Sequence, residues 1–94
     1  MKIDIDENIR KAKTIPSKFY HSPKIYKKLK KLFNRSWQFI GDKNLLEKNN
    51  AHPGILLEGM VDEPYVLTKS EEKIRCLSNV CTHRGTIVCE KATN

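Results

Sequence analysis

Between Ile25 and Phe33 the apolar residues Ile25, Tyr26, Leu29, Leu32 and Phe33 fall at offsets of 0, 1, 4, 7 and 8, and Lys24, Lys27, Lys28, Lys30 and Lys31 fill the positions around them. Such spacing follows the helical period and predicts an amphipathic helix of about three turns with a single apolar stripe. Ser22 is suited to cap its start, and Pro23 fits the first helical position, where the missing N–H costs nothing. The helix is expected to end near Asn34. Upstream, residues 1–15 are polar with isolated isoleucines, and read as an arm lying along a larger body.

Beyond the helix the pattern changes to alternation. Ser36 to Ile40 alternates apolar and polar residues before Gly41-Asp42 breaks it, which predicts a short strand. Asn44 to Gly54, with Asn49-Asn50 and Pro53-Gly54, reads as a loop. Three strands are expected at Ile55–Glu58, Tyr65–Lys69 and Lys73–Val80, with turns at Asp62-Glu63-Pro64 and Ser70-Glu71-Glu72. In the third strand Ile74, Cys76, Ser78 and Val80 share one face, and Arg75, Leu77 and Asn79 the other. The expected fold class is therefore α+β: an amphipathic helix followed by a partial antiparallel sheet. The sheet has few strands for one that must bury a face.

Composition narrows the class. Ninety-four residues, 38% hydrophobic and 31% charged, make one small globular piece near the lower limit for a self-sufficient core. No apolar run is long enough to span a membrane. The opening MKIDIDENIRKAK lacks the apolar stretch of a secretory signal. Three cysteines without an export signal argue for reduced thiols or metal ligands in a cytoplasm. The net charge of +7 is concentrated in Lys18, Lys24, Lys27, Lys28, Lys30, Lys31 and Arg35. Those lysines read first as the wet face of the helix. Nucleic acid is not the expected partner, because no aromatic residues are expected interleaved at solvent-facing positions for stacking and no nucleic-acid motif is present.

The chemistry gathers in "SNVCTHRGTIVCE", residues 78–90. Cys81-x-His83 places a thiolate and an imidazole on one tight loop. At that spacing they do not comfortably chelate a single metal, but each could bind a different iron of a two-iron cluster. Such a mixed site has histidines in place of cysteines on one iron, and this raises its potential. A zinc site built from Cys76, Cys81, His83 and Cys89 is the rival. Its donors suit zinc, but the paired knuckles of closed zinc sites are missing. Cys76 reads as a small packed thiol, Trp37 as core, and His21 and His52 as ordinary surface histidines.

In its setting, Asn79-Val80-Cys81-Thr82-His83-Arg84-Gly85 resembles the first ligand loop of Rieske-type non-haem iron oxygenase alpha subunits, the aromatic-ring-hydroxylating dioxygenase family. "TIPSKFYHSPKIYKKLKKLFNRSWQFIGD" is similar to the region before the cluster domain, and "PGILLEGMVDEPYVLTKSEEKIRCLSNVC" to the strands leading to the loop. The resemblance covers nearly all of residues 14–89. It implies residues 1–34 as arm and helix, and residues 35–94 as the first part of a Rieske domain. It implies a [2Fe-2S] cluster with Cys81 on one iron and His83 on the other, Arg84 beside the cluster, and Gly85 allowing the close turn. The family completes its ligand set with a Cys-x-x-His loop roughly fifteen to twenty residues further on. Eleven residues follow His83 and none is histidine. The chain is accordingly read as the N-terminal part of a longer oxygenase subunit, inactive alone. In the whole protein a reductase or ferredoxin would donate electrons. A mononuclear Fe(II) in the catalytic domain would activate O₂ to oxidise a small organic substrate, and the parent would be a homotrimer. The alternative is a small basic adaptor or zinc-binding module contacting nucleic acid or an acidic protein.

Overall fold

The computed structural model describes residues 2–94. The chain divides into two compact units, Met1–Ser36 and Trp37–Asn94.

In the first unit a four-residue helix α1 (Lys18–His21) precedes the main helix α2 (Pro23–Asn34). The Ser22 hydroxyl accepts from the Ile25 N–H, and Pro23 occupies the first turn, as the sequence predicts. At the other end the Arg35 and Ser36 N–H groups donate to the Leu32 and Phe33 carbonyls. The Ser36 hydroxyl adds a 2.7 Å bond to the Leu32 carbonyl. The last turn is thus closed without a glycine. The lysines between the apolar positions are exposed, and Ile25 is half-buried.

The second unit is a three-stranded antiparallel sheet in the order β1 (Ala51–Leu56), β2 (Glu63–Ser70), β3 (Lys73–Ser78). Glu71 and Glu72 join β2 to β3, both with positive φ, the backbone of a tight hairpin turn. The β1–β2 connection is longer. In it the N–H groups of Met60, Val61 and Asp62 converge on the Leu57 carbonyl, and the Asp62 carboxylate accepts from the Gly59 N–H at 2.7 Å.

Four expectations are corrected. The stretch Ser36–Ile40 forms no strand: it enters no ladder of the sheet, and Trp37 and Phe39 stand almost wholly in solvent. Alternation supplied the pattern but not the ladder. Trp37 is consequently surface, not core. Next, Pro53-Gly54 lies inside β1 instead of ending a loop. The strand is an edge, where a proline's missing donor is tolerated. Gly54 faces Tyr65 across the ladder, and a side chain at Gly54 would land on the Tyr65 ring, so glycine here serves packing between strands. Finally, Cys76 on β3 is exposed, not packed, because β3 is the other edge and none of its residues is covered. His52 lies in β1, half-buried, and His21 is exposed at the end of α1.

Pairing assigns Val66, Thr68, Ala51 and Leu77 to one face of the sheet, and Tyr65, Leu67 and Cys76 to the other. A 3₁₀ turn at Lys43–Leu46, capped by the Asp42 carboxylate on the Asn44 N–H, packs against β1 and β2. Among the described residues the buried apolar core is Leu46, Val66 and Leu67, and the buried polar residue is Asn79. Beside Val66, Thr68 and Leu77 an open groove of about 640 Å³ runs along the sheet to Ile87, Val88 and Cys89. No helix among the described residues is long and apolar enough to cross a membrane.

Candidate metal centre

β3 delivers the chain into a loop that turns back on itself. Val80 and Ile87 bridge in antiparallel fashion, and the Cys81 N–H donates to the Thr86 carbonyl at 2.7 Å. The Cys81 carbonyl accepts from the Gly85 N–H at 2.8 Å. Both backbone groups of Cys81 are therefore used inside the loop, and residues 82–85 form its tip. Gly85 turns the chain with φ of 67°, in the left-handed region that costs glycine little.

This winding aims two backbone N–H groups, first that of Arg84 and then that of His83, at the Cys81 sulfur. Both favour the thiolate and hold the Cys81 thiol below its ordinary value, against a smaller upward push from desolvation. Cys81 is half-buried, while His83 and Arg84 are exposed at the tip. The loop thus presents a thiolate-favouring sulfur and an accessible imidazole within three residues of chain.

The base of the loop is anchored by Asn79, which is 2% exposed. Its amide donates from Nδ2 to the Cys89 carbonyl at 2.7 Å and accepts at Oδ1 from the Cys89 N–H at 2.8 Å. Sequence reasoning placed Asn79 on a strand face and gave it no task. Its partner lies ten residues further along, so the local motif that begins at Asn79 could not reveal the pairing. Cys89 is half-buried, its thiol turned to the Lys91 carbonyl at 3.2 Å. The zinc alternative finds no support: among the described residues no three His, Cys, Asp or Glu side chains gather as a metal site.

With this geometry in place, comparison decides the family. Residues 36–94 match the model of the Rieske [2Fe-2S] domain. The chain belongs to that family. The Rieske match takes in the sheet, the Cys81–His83 loop and the Asn79 anchor. Among curated proteins, the chain is 26% identical over 81 residues to the glycine betaine monooxygenase oxygenase subunit of Chromohalobacter salexigens, covering 84% of this chain and 18% of that one. It is 35% identical over 80 residues to the chloroplastic choline monooxygenase of Spinacia oleracea, covering 82% of this chain and 17% of that one. The chain thus spans less than a fifth of the length of these relatives. No solved structure matches it significantly.

Proposed function

We propose that this chain is part of a Rieske non-haem iron oxygenase large subunit, and that Cys81 and His83 are ligands of its [2Fe-2S] cluster, one on each iron. The observation that carries this is the Cys81–Gly85 turn within the Rieske match, which brings two N–H groups to the sulfur and leaves the imidazole accessible. The donor set fits the group. A thiolate suits one iron and a neutral imidazole the other, with the backbone N–H bonds stabilising charge on sulfur.

The [2Fe-2S] group would supply a one-electron relay between a reductase or ferredoxin and the mononuclear iron at which the oxygenase activates O₂ to oxidise an organic substrate. The residues present prepare that site. Cys81 is held towards its thiolate, as metal binding requires. His83 keeps one ring nitrogen for a metal and the other for a hydrogen bond or proton. Arg84 places a positive charge at the loop tip. Cys81 and His83 provide two of the four donors.

Iron and sulfide analysis with electron paramagnetic resonance, on the complete translation product of the gene isolated anaerobically, tests this reading. Two irons and two sulfides per chain and a Rieske-type signal are expected. Cys81→Ser should lose the iron. His83→Cys, which keeps a donor, should lower the reduction potential. A wild-type product without iron, or a Cys81→Ser variant with its full complement, overturns the assignment. The 94-residue chain by itself should show no oxygenase activity and no stoichiometric cluster as a monomer.

A second reading, a basic adaptor, draws on one observation: residues 8–41 carry ten lysines and arginines and no acid. Micromolar duplex-DNA affinity that falls steeply with salt would favour it.

A further inference from the structure

Asn79 stands where two hydrogen-bonded ladders meet. Its backbone N–H donates to the Pro64 carbonyl at 3.0 Å, one step beyond the last β2–β3 pair, Tyr65 with Ser78. Its carbonyl turns the other way and accepts from the Val88 N–H at 3.1 Å, one step beyond the Val80–Ile87 bridge. A residue whose two backbone groups serve different neighbours would normally leave the second ladder half-paired at its base. The side-chain amide makes up the difference. Nδ2 and Oδ1 exchange two bonds with the Cys89 backbone, as a residue directly opposite in an antiparallel ladder would.

We propose that Asn79 is the positioning residue of the Cys81–His83 loop, its amide acting as an extra peptide group that fastens the returning segment 88–89 to the end of the sheet. The role rests on reading Cys81 and His83 as cluster ligands, since they are what the fastened loop carries. The chemistry asks for asparagine. Aspartate lacks the donor for the Cys89 carbonyl, and leucine, of similar size, offers neither bond. Glutamine carries the same amide one methylene further out. Full burial removes water as a substitute partner, so each lost bond leaves an unpaired Cys89 group. The consequence reaches Cys81 two residues away, because its N–H and carbonyl bonds depend on the same strand pair staying closed.

Amide hydrogen exchange of the 94-residue chain, followed by nuclear magnetic resonance without iron, tests this separately from the ligand assignment. In the wild type, the Asn79 side-chain protons should exchange far more slowly than those of exposed Asn44. In Asn79→Leu, the N–H groups of Cys81, Gly85, Val88 and Cys89 should exchange roughly 10- to 100-fold faster. The β2–β3 ladder amides of residues 65–77 should keep their rates. Loop rates unchanged in the leucine variant would mean that packing holds the loop, and would overturn the proposal. Equal loss across the ladder would make Asn79 a general core residue, and would overturn it too. If the leucine variant does not fold, the wild-type side-chain measurement still decides: fast exchange there contradicts the buried amide pair.

Discussion

Cys81 differs from an ordinary thiol because two backbone N–H groups, those of Arg84 and His83, converge on its sulfur. They favour the charged form, so the thiol ionises below its usual pH. Alkylation by iodoacetamide, which requires the thiolate, should therefore reach half its maximal rate at Cys81 at a lower pH than in a denatured control. Mass spectrometry of the labelled peptide separates Cys81 from Cys76 and Cys89. A midpoint equal to that of the denatured control would show that the N–H groups do not reach the sulfur in solution. The link to stability has a defined direction. A folded value below the unfolded one stabilises the fold at pH above the unfolded value, and that contribution fades as pH falls through the folded value. The sulfur is open enough to water that metal binding, more than stability, is where the shift counts.

At the scale of elements, legibility follows how local the determinants are. Helix α2 was readable to the residue, because Ser22, Pro23 and the apolar period all lie within its own sequence. The β2–β3 hairpin was readable in outline from its turn. β1 was not: Pro53-Gly54 signals a loop by local chemistry, and the edge position and Tyr65 ring that make both tolerable lie elsewhere in the chain. Ser36–Ile40 failed for the opposite reason, with a strand's alternation but no ladder to join. Cys81 and His83 could be singled out as a candidate pair because a single residue separates them, and the Asn79 anchor could not because Cys89 is ten residues away. The hairpin turn also carries an avoidable cost. Glu71 and Glu72 both sit at positive φ, 51° and 61°, where a side chain with a Cβ is disfavoured. Replacing them with Asn-Gly, the pair suited to such a turn, should stabilise the chain by about 1 kcal/mol. A higher denaturation midpoint by circular dichroism is the expected result. No gain would mean that the turn relaxes out of the left-handed region in solution.

For the Trp37–Asn94 unit as a body, the imbalance between the two faces of its sheet governs behaviour. On the face that carries Leu67 that residue is buried, as is Leu46 of the 3₁₀ turn that packs against β1 and β2. On the other, Val66 is buried while its neighbours along the groove are not: Leu77 is 49% exposed, Ile87 42% and Val88 68%. An apolar groove of this kind, bordered by the unpaired edge of β3, invites self-association in a chain studied alone. The double variant Leu77→Lys, Val88→Lys should therefore remain folded, because both side chains already meet water and the Val88 N–H bond to Asn79 belongs to the backbone. It should also bind less of the dye 8-anilinonaphthalene-1-sulfonate and elute as a smaller species in size-exclusion chromatography. Val66→Lys supplies the contrast. It puts a charge at a position 8% exposed, with no partner to compensate it, and should unfold the domain. If the double variant unfolds just as Val66→Lys does, the groove is closed in solution and Leu77 and Val88 belong to the core. If it stays folded and monomeric, the three strands and the Asn79-anchored loop hold together without cover on that face. The site would then depend on hydrogen bonds at its base more than on burial of the groove.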